Sequence, residues 1–307
     1  MTARIALCTA SSCVAAPSDT SSLTRAMMPA EPATRSAWSS TARDVVEPLS
    51  TASAYPGRCA AAFALAGELG YDGLEVMVWT DPVTQEAGAL RALAELHEVP
   101  VVSIHAPTLL LTQRVWGSDP WVKVDRSIEL AMGVGADVVV LHPPFRWQRG
   151  YAEGFADGVA ERERDSGIQL CVENMFPWQA GRKAGQRREL EAYLPHWDPT
   201  DQPYAHVTLD LSHTATAGSD ALAMADTLGE RLRHIHLADG TGSVRDEHLV
   251  PGRGSQPCGE LLERLAGRGF DGAIVVEVGT RKLAADQREI DLAESLAFAR
   301  LHFAAAR

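Results

Sequence analysis

The residues best suited to chemistry lie in a glycine-rich stretch, IHLADGTGSVRDEHLVPGRG, that spans residues 235–254. Two imidazoles and two carboxylates fall within thirteen positions of it, at His236, Asp239, Asp246 and His248. Imidazole and carboxylate groups are common protein ligands of divalent metals. A solvated polar turn with two incidental histidines explains the same residues equally well, since loops are polar in any case. The rest of the chain decides between these two interpretations.

Further histidines and acids follow short apolar runs elsewhere in the chain. They occur in SIHAP, VLHPP, CVEN, LDLSH and VVEV, and are His105, His142, Glu173, Asp210, His213 and Glu277. A single histidine at a strand end is usually a satisfied polar residue. Six consecutive apolar strands that each end in His, Asp or Glu form a different pattern, because buried carboxylates are costly and a cation is their usual compensation. The pattern predicts one to three divalent ions, and the mixed ligands suit Zn²⁺, Mn²⁺ or Co²⁺ better than Ca²⁺.

These residues need a framework that brings several strand ends together. From residue 45 onward, short β-branched runs alternate with longer amphipathic stretches rich in Ala, Leu, Glu and Arg. The candidate strands are VVEPLSTAS, GLEVMVW, PVVSIHA, ADVVVLHPP, IQLCVEN, HVTLDLSH, RHIHLAD and GAIVVEV. The candidate helices span residues 58–69, 84–97, 120–134, 152–166, 186–194, 219–232, 257–268 and 286–302. Near-continuous apolar strands between helices indicate a parallel sheet.

Eight such units predict an α/β fold, a (β/α)8 TIM barrel over residues 44–307. An open doubly wound sheet is the rival architecture, but no strand is followed by GxGxxG or GxxxxGK[ST]. In a barrel the carboxyl ends of all strands meet on one face, where enzymes with this fold build their active site. The histidines and acids at the strand ends are therefore expected to converge.

Residues 1–43 differ in composition, being rich in Ala, Ser, Thr and Pro without an apolar period, and they predict a disordered N-terminal segment. The formal net charge of −12 does not favour broad attraction to nucleic acid or anionic membrane. No apolar run has the length of a membrane span. Five scattered cysteines without a CxxC pair fit a reducing compartment. We therefore expect a cytoplasmic protein.

In order along the chain, the motifs IHAP, HPP, VEN, DLSH, HLAD, DEH…GRG and VVEV resemble those of the xylose-isomerase-like TIM barrels. That superfamily includes sugar and sugar-phosphate isomerases and epimerases, and the endonuclease IV type of AP endonuclease (AP endonuclease family 2). The resemblance to the single-metal isomerases implies four ligands, at Glu173, Asp210, His236 and Glu277. The resemblance to endonuclease IV implies nine ligands of a trinuclear zinc cluster. They would be His105, His142, Glu173, Asp210, His213, His236, Asp246, His248 and Glu277.

Two mechanisms fit these residues. In the favoured one, a metal grips a sugar, sugar phosphate or related polyol, Glu173 and Glu277 exchange a carbon-bound proton, and His213 serves an oxygen-to-oxygen proton shift or acts as a further ligand. The expected substrate contacts are Phe145, Arg146, Trp147, Arg253 and Glu75. A second copy of the chain, in a homodimer, is a further candidate partner.

The alternative is metal-assisted hydrolysis of a phosphodiester in nucleic acid. The five additional ligands support it, whereas the acidic net charge disfavours a phosphate track. The basic run at Arg182, Lys183, Arg187 and Arg188 suits phosphate contacts, although such runs are more often a solvated helix face. A barrel that keeps metal only for stability is the third and least favoured interpretation.

Overall fold

The computed structural model describes residues 45–109, 112, 114–180 and 188–304. The disordered segment predicted over residues 1–43 lies outside these ranges, as do Arg182, Lys183 and Arg187 of the basic run. No helix among the described residues is long and apolar enough to cross a membrane.

All eight predicted strands form, and they close into a parallel barrel. In chain order the strands of the described residues are β1 (Leu49–Ser50), β2 (Leu74–Met77), β3 (Val101–His105), β4 (Val138–Leu141), β5 (Gln169–Glu173), β6 (Trp178–Ala180), β7 (Arg188–Leu190), β8 (His206–Asp210), β9 (Leu232–Leu237) and β10 (Ala273–Val276). Around the barrel the order is β1-β10-β9-β8-β5-β4-β3-β2, while β6 and β7 form a separate antiparallel pair. The TIM-barrel prediction is confirmed.

Helices lie between the barrel strands. They are α1 (Cys59–Leu69), α2 (Ala87–His97), α3 (Pro120–Val134), α4 (Arg149–Ala152), α5 (Phe155–Ser166), α6 (Leu211–Ala217), α7 (Ala221–Leu228), α8 (Cys258–Gly267) and α9 (Ala285–Ala304). Short 3-10 turns occupy Thr51–Ala54, Pro82–Gln85 and Gly229–Arg231. The chain leaves α1 and α3 through Gly70 and Gly135, whose φ angles of 79° and 80° are left-handed and favour glycine.

One predicted helix, over residues 186–194, is wrong. Residues Arg188–Leu190 instead form β7, which pairs with β6 in a hairpin after the fifth barrel strand. Tyr193, just beyond β7, bridges to Phe145 and packs with Met175 in a small apolar cluster. The segment is rich in helix formers, but this tertiary packing overrides their weak intrinsic preference.

Side chains inside the barrel are arranged in layers, because residues two apart on a strand face the same side. His105, Glu173, Asp210 and His236 lie at the carboxyl ends of β3, β5, β8 and β9 and contact one another through the interior. Two residues earlier on the same strands, the buried Ser103, Thr208 and His234 face the interior one layer lower. Outward-facing apolar residues of these strands are buried in the main hydrophobic core. The polar layers therefore sit inside an apolar shell.

Candidate metal centre

Four side chains form the innermost group of the site. Glu173, Asp210 and His236 belong to β5, β8 and β9, and Glu277 directly follows β10. Each offers one ligand atom, and these atoms all lie within 4.8 Å of one another. The barrel therefore brings together the four ligands that the resemblance to the single-metal isomerases implies.

Three carboxylates of this group converge on one nitrogen. Nδ1 of His236 lies 2.9 Å from Oε1 of Glu173, 2.9 Å from Oε2 of Glu277 and 3.5 Å from Oδ2 of Asp210. A single N–H at this position donates well to only one of the three oxygens. The others are left facing each other in a buried interior, where uncompensated negative charge is costly.

Asp210 shows why a cation fits this arrangement. Its Oδ1 accepts a hydrogen bond from the backbone N–H of His213 and begins α6, while its Oδ2 is buried and has no hydrogen-bond partner among the described residues. Asn174 fixes the backbone here, since its side chain accepts from Asp210 N at 2.6 Å and donates to Asp210 O at 3.1 Å. An orphaned carboxylate oxygen beside two more carboxylates and an imidazole matches the donor set of a divalent metal.

Two further histidines reach the other oxygen of Glu173. Nε2 of His142 lies 2.8 Å from Oε2, and Nε2 of His105 lies 3.3 Å from the same atom. His142 follows β4 directly, and its Nδ1 is buried without a hydrogen-bond partner in the part of the chain that the structure describes. Glu173 thus connects the innermost group to both histidines.

On the opposite side, His213, Asp246 and His248 extend the cluster. Nδ1 of His213 lies 3.4 Å from Oε1 of Glu173, and its Nε2 lies 3.3 Å from Oδ2 of Asp246. Nε2 of His248 lies 2.9 Å from the same Asp246 oxygen. Asp210, His213 and His248 also have ligand atoms close enough to hold an ion together. All nine sequence-derived ligand candidates thereby form one continuous network.

The loop over residues 239–256 positions Asp246 and His248. The buried carboxylate of Asp239 accepts hydrogen bonds from four backbone N–H groups, those of Gly240, Gly252, Gly254 and Gln256. A Cβ at residue 254 would lie 2.3 Å from Oδ1 of Asp239 and 2.6 Å from the carbonyl oxygen of residue 240. Asp239 is therefore the organiser of the turn rather than a ligand.

His248 is held in a defined position at this loop. Its φ angle of 44° is left-handed, which is uncommon for a residue other than glycine. Ser212 Oγ accepts from the backbone N–H of His248 and donates to Oδ1 of Asp246 at 2.6 Å. The loop is thus tied to α6, immediately beside the site.

Oppositely charged neighbours in the cluster stabilise the charged forms of Glu173 and His213. Burial opposes ionisation of Glu173, but the neighbouring imidazoles, led by His236, hold the pKa of its carboxyl well below its ordinary value. Burial likewise disfavours the charged form of His213, yet Asp210 and Asp246 raise its pKa to about 10. Glu173 is therefore held as a carboxylate, and the proton held on His213 is one that a bound metal ion would replace.

An aromatic cluster follows β4 and β5. Phe145 is buried, Trp147 is 50% exposed, and their rings stack at 4.7 Å with an interplanar angle of 4°. Trp178 and Tyr193 also contact Phe145, at 6.1 Å and 5.2 Å between ring centroids. Sequence reasoning missed both. Only the position of Trp178, five residues after Glu173, hinted at its proximity to the site.

Three predicted substrate contacts occupy different environments. Arg146 is exposed beside the aromatic cluster. Arg253 pairs with Asp291 at 3.0 Å and with Glu294, both on α9, and the structure does not bring it into the ligand network. Glu75 is fully buried on β2, where its carboxylate lies beneath His236.

Comparison with known proteins identifies relatives along most of the chain. A family model described as xylose isomerase-like TIM barrel matches residues 63–302. The uncharacterized protein Rv0498 of Mycobacterium tuberculosis is 54% identical over 269 residues, which cover 83% of this chain and 96% of the relative. Fructoselysine 3-epimerase of Shigella flexneri is 24% identical over 242 residues, which cover 71% of this chain and 84% of the epimerase.

A solved structure agrees at the level of fold. D-allulose 3-epimerase from Methylomonas sp., in complex with D-allulose, matches with a TM-score of 0.58 and 17% identity, covering 84% of this chain and 97% of the epimerase. The family match spans nearly the whole barrel, and it confirms the resemblance seen in the strand-end motifs. This chain belongs to the family of xylose isomerase-like TIM barrels.

Proposed function

We propose that the protein is a metal-dependent isomerase or epimerase that acts on a sugar, a sugar phosphate or a related polyol. The observation that supports it most directly is the convergence of Glu173, Asp210 and Glu277 on Nδ1 of His236, with Oδ2 of Asp210 unpaired among the described residues. These four residues would hold the ion. When bound, a divalent metal polarises a carbonyl and makes the adjacent C–H more acidic.

The two glutamates supply the proton transfer. One glutamate, as the carboxylate, takes the proton from the carbon next to the carbonyl. The other, as the carboxylic acid, returns a proton to the opposite face, which inverts that carbon, and exchange with solvent restores both groups. Glu173 lies deep in the barrel, while the side chain of Glu277 retains 10% exposure. Because the two glutamates lie at the ends of different strands, they would approach a bound substrate from different directions.

His213 is suited to moving a proton between substrate oxygens. It lies between Glu173 and Asp246, and its ring packs 5.1 Å from that of Phe176. A protonated imidazole in this place donates to an oxygen that becomes negative during carbon deprotonation. The exposed face of Trp147 offers an apolar wall for the substrate, and Arg146 offers a hydrogen-bond donor beside it.

The relatives support the same reaction class. Fructoselysine 3-epimerase and D-allulose 3-epimerase are, by their names, sugar epimerases. Enzymes with a TIM-barrel fold build their active sites at the carboxyl ends of the strands, and this chain gathers its acids and histidines at the same ends, which supports the proposal.

Hydrolysis of a phosphodiester is the second candidate. It is favoured by the five residues that extend the innermost group, His105, His142, His213, Asp246 and His248. Additional ions held by them would generate a hydroxide and stabilise a leaving oxygen. The net charge of −12 opposes binding to a polyanion.

Metal content and a substrate panel distinguish the two functions. Protein purified without chelator is analysed for bound metal and assayed on free ketoses, sugar phosphates and a duplex with an abasic site. About one exchangeable ion per chain with turnover of a sugar would support the epimerase. Two or three tightly held zinc ions with cleavage of the duplex would overturn it in favour of the hydrolase.

A further inference from the structure

Glu75 makes a contact that crosses the interior of the barrel. It lies on β2, and its Oε1 is 2.9 Å from Nε2 of His236 on β9. These strands are not neighbours, since β1 and β10 lie between them on one side of the barrel. Both side chains are completely buried. The contact therefore approaches His236 from the side away from Glu173 and Glu277.

The second oxygen of Glu75 is also occupied. Ser103 Oγ donates a hydrogen bond to Oε2 at 2.8 Å, and Nε2 of His234 lies 3.1 Å from the same oxygen. His234 in turn lies 3.4 Å from Thr208 through its Nδ1. The carboxylate is thereby fixed in orientation, with one oxygen reserved for His236.

His236 has two ring nitrogens with different surroundings. Nδ1 faces the carboxylates of the metal group, whereas Nε2 has Glu75 as its hydrogen-bond partner. We propose that Glu75 is a positioning residue of the metal centre, which accepts the Nε2–H of His236 and so directs the Nδ1 lone pair of that ring toward the ion. The inference rests on the metal centre of the proposed function, and it assigns to Glu75 a role other than substrate contact.

A purely structural role is a poor explanation of this carboxylate. Filling the same space with an apolar side chain avoids the desolvation of a buried acid and its partners. A carboxylate bonded to a ligating histidine, in contrast, fixes the tautomer and orientation of the ring and makes it a more basic ligand. Such partners typically change metal affinity by about 10- to 100-fold.

The test compares metal binding by chelator-treated wild type, Glu75→Gln and Ser103→Ala, titrated with Zn²⁺. Glu75→Gln keeps the shape and an acceptor oxygen but removes the charge, and we expect its dissociation constant to rise by about 10- to 100-fold. Ser103→Ala is the matched control, because it removes a hydrogen bond from Oε2 and leaves the contact to His236. Its dissociation constant is expected to change by less than about threefold. A Glu75→Gln variant that binds zinc as the wild type does would overturn the proposal.

A second measurement needs no variant of Glu75. In zinc-loaded wild-type protein, ¹⁵N-edited NMR is expected to show the His236 proton on Nε2, assigned by its loss in His236→Asn. A proton on Nδ1 in the loaded protein would overturn the proposal even if Glu75→Gln failed to fold. Failure of the proposed function has a different signature: zinc binding with this tautomer but no turnover of any sugar leaves the role of Glu75 intact.

Discussion

Oδ1 of Asp210 accepts a hydrogen bond from the backbone N–H of His213 at 2.7 Å, so an acid of the metal group also begins α6. The two carboxylate oxygens have different roles, since Oδ1 caps the helix and Oδ2 remains available to the site. The carboxylate is held by the helix, so a metal ion bound at this site would meet an oxygen that is already in place.

Substitutions at Asp210 separate the helix-capping role of its carboxylate from the metal-binding role. Asp210→Asn retains a good helix cap, and we expect the free energy of unfolding of the chelator-treated protein to stay within about 0.5 kcal/mol of the wild type or to rise. Bound metal is expected to be lost, since the charged oxygen is gone. Asp210→Ala should lose the metal and also about 1 kcal/mol of stability with the cap. Urea unfolding and elemental analysis measure the two effects, and an Asp210→Asn protein with a full complement of metal would contradict the assignment.

Removal of either glutamate should block inversion. We expect Glu173→Gln and Glu277→Gln each to lower kcat for a sugar substrate by about 10²- to 10⁴-fold, because each removes one of two proton-transfer groups. In deuterated water, the remaining glutamate should still exchange the proton of one epimer, and the epimer should differ between the two variants. Mass spectrometry of recovered substrate gives this readout. Each variant lacks one proposed carboxylate ligand, so excess divalent metal is added and the variants are compared with wild type at equal bound metal. Equal exchange into both epimers by both variants would exclude the two-base mechanism.

Alanine substitution of two glycines tests the packing of the turn around Asp239. Gly254→Ala places a methyl group against Asp239 Oδ1 and the carbonyl oxygen of residue 240, and should cost about 1–3 kcal/mol of stability. Gly267→Ala is the control, because a Cβ there meets nothing within 4 Å and lies at the end of α8. That change should be neutral or stabilising, by up to about 1 kcal/mol. Thermal unfolding compares them, and equal effects of the two substitutions would refute the steric explanation.

A carboxyl pair at the amino-terminal end of β1 predicts a pH dependence of stability. Burial, together with the adjacent Asp72, raises the pKa of Glu47 to about 7, while Arg300 partly offsets this. The folded protein therefore retains the Glu47 proton to higher pH than the unfolded chain, so this group costs stability as pH rises from about 4.5 to about 7.

Glu47→Gln removes the carboxyl group whose ionisation costs stability as pH rises. The stability of the variant relative to wild type should increase between about pH 4.5 and about pH 7 and then level off. Urea unfolding across this range, in chelator, measures the difference. The exposed Glu68→Gln on α1 is the control and should show no such rise. A difference between Glu47→Gln and wild type that stays flat with pH would contradict the shifted titration.

Much of the site was predictable because its residues end apolar strands. His105, Glu173 and Asp210 each close a β-branched run, and a barrel topology alone then places them on one face. The stop signals were equally local, since Gly135 ends α3 by a left-handed cap. Such features depend on a few neighbouring residues and on the period of the strand.

Features that depend on partners distant in sequence were not predictable in the same way. Arg253 lies next to the site in sequence, but it meets Glu294 on α9. The sequence of residues 186–194 favours a helix, yet Tyr193 joins Phe145 and the chain forms a hairpin. In both cases a contact that forms only in the folded protein determines the partner of the residue or the local structure. Local sequence propensity carries no information about such contacts.

The contact between Glu75 and His236 joins residues 161 positions apart. These two residues, and the strand ends above them, come into contact only when nearly the whole barrel has closed. Closure between segments so distant in sequence is slow compared with local helix formation. An ion that requires ligands from all of these strands would bind the closed chain and not its precursors, so it would stabilise the closed chain alone. Retention of metal would thus distinguish fully folded molecules from those in which one barrel strand has not yet joined the sheet.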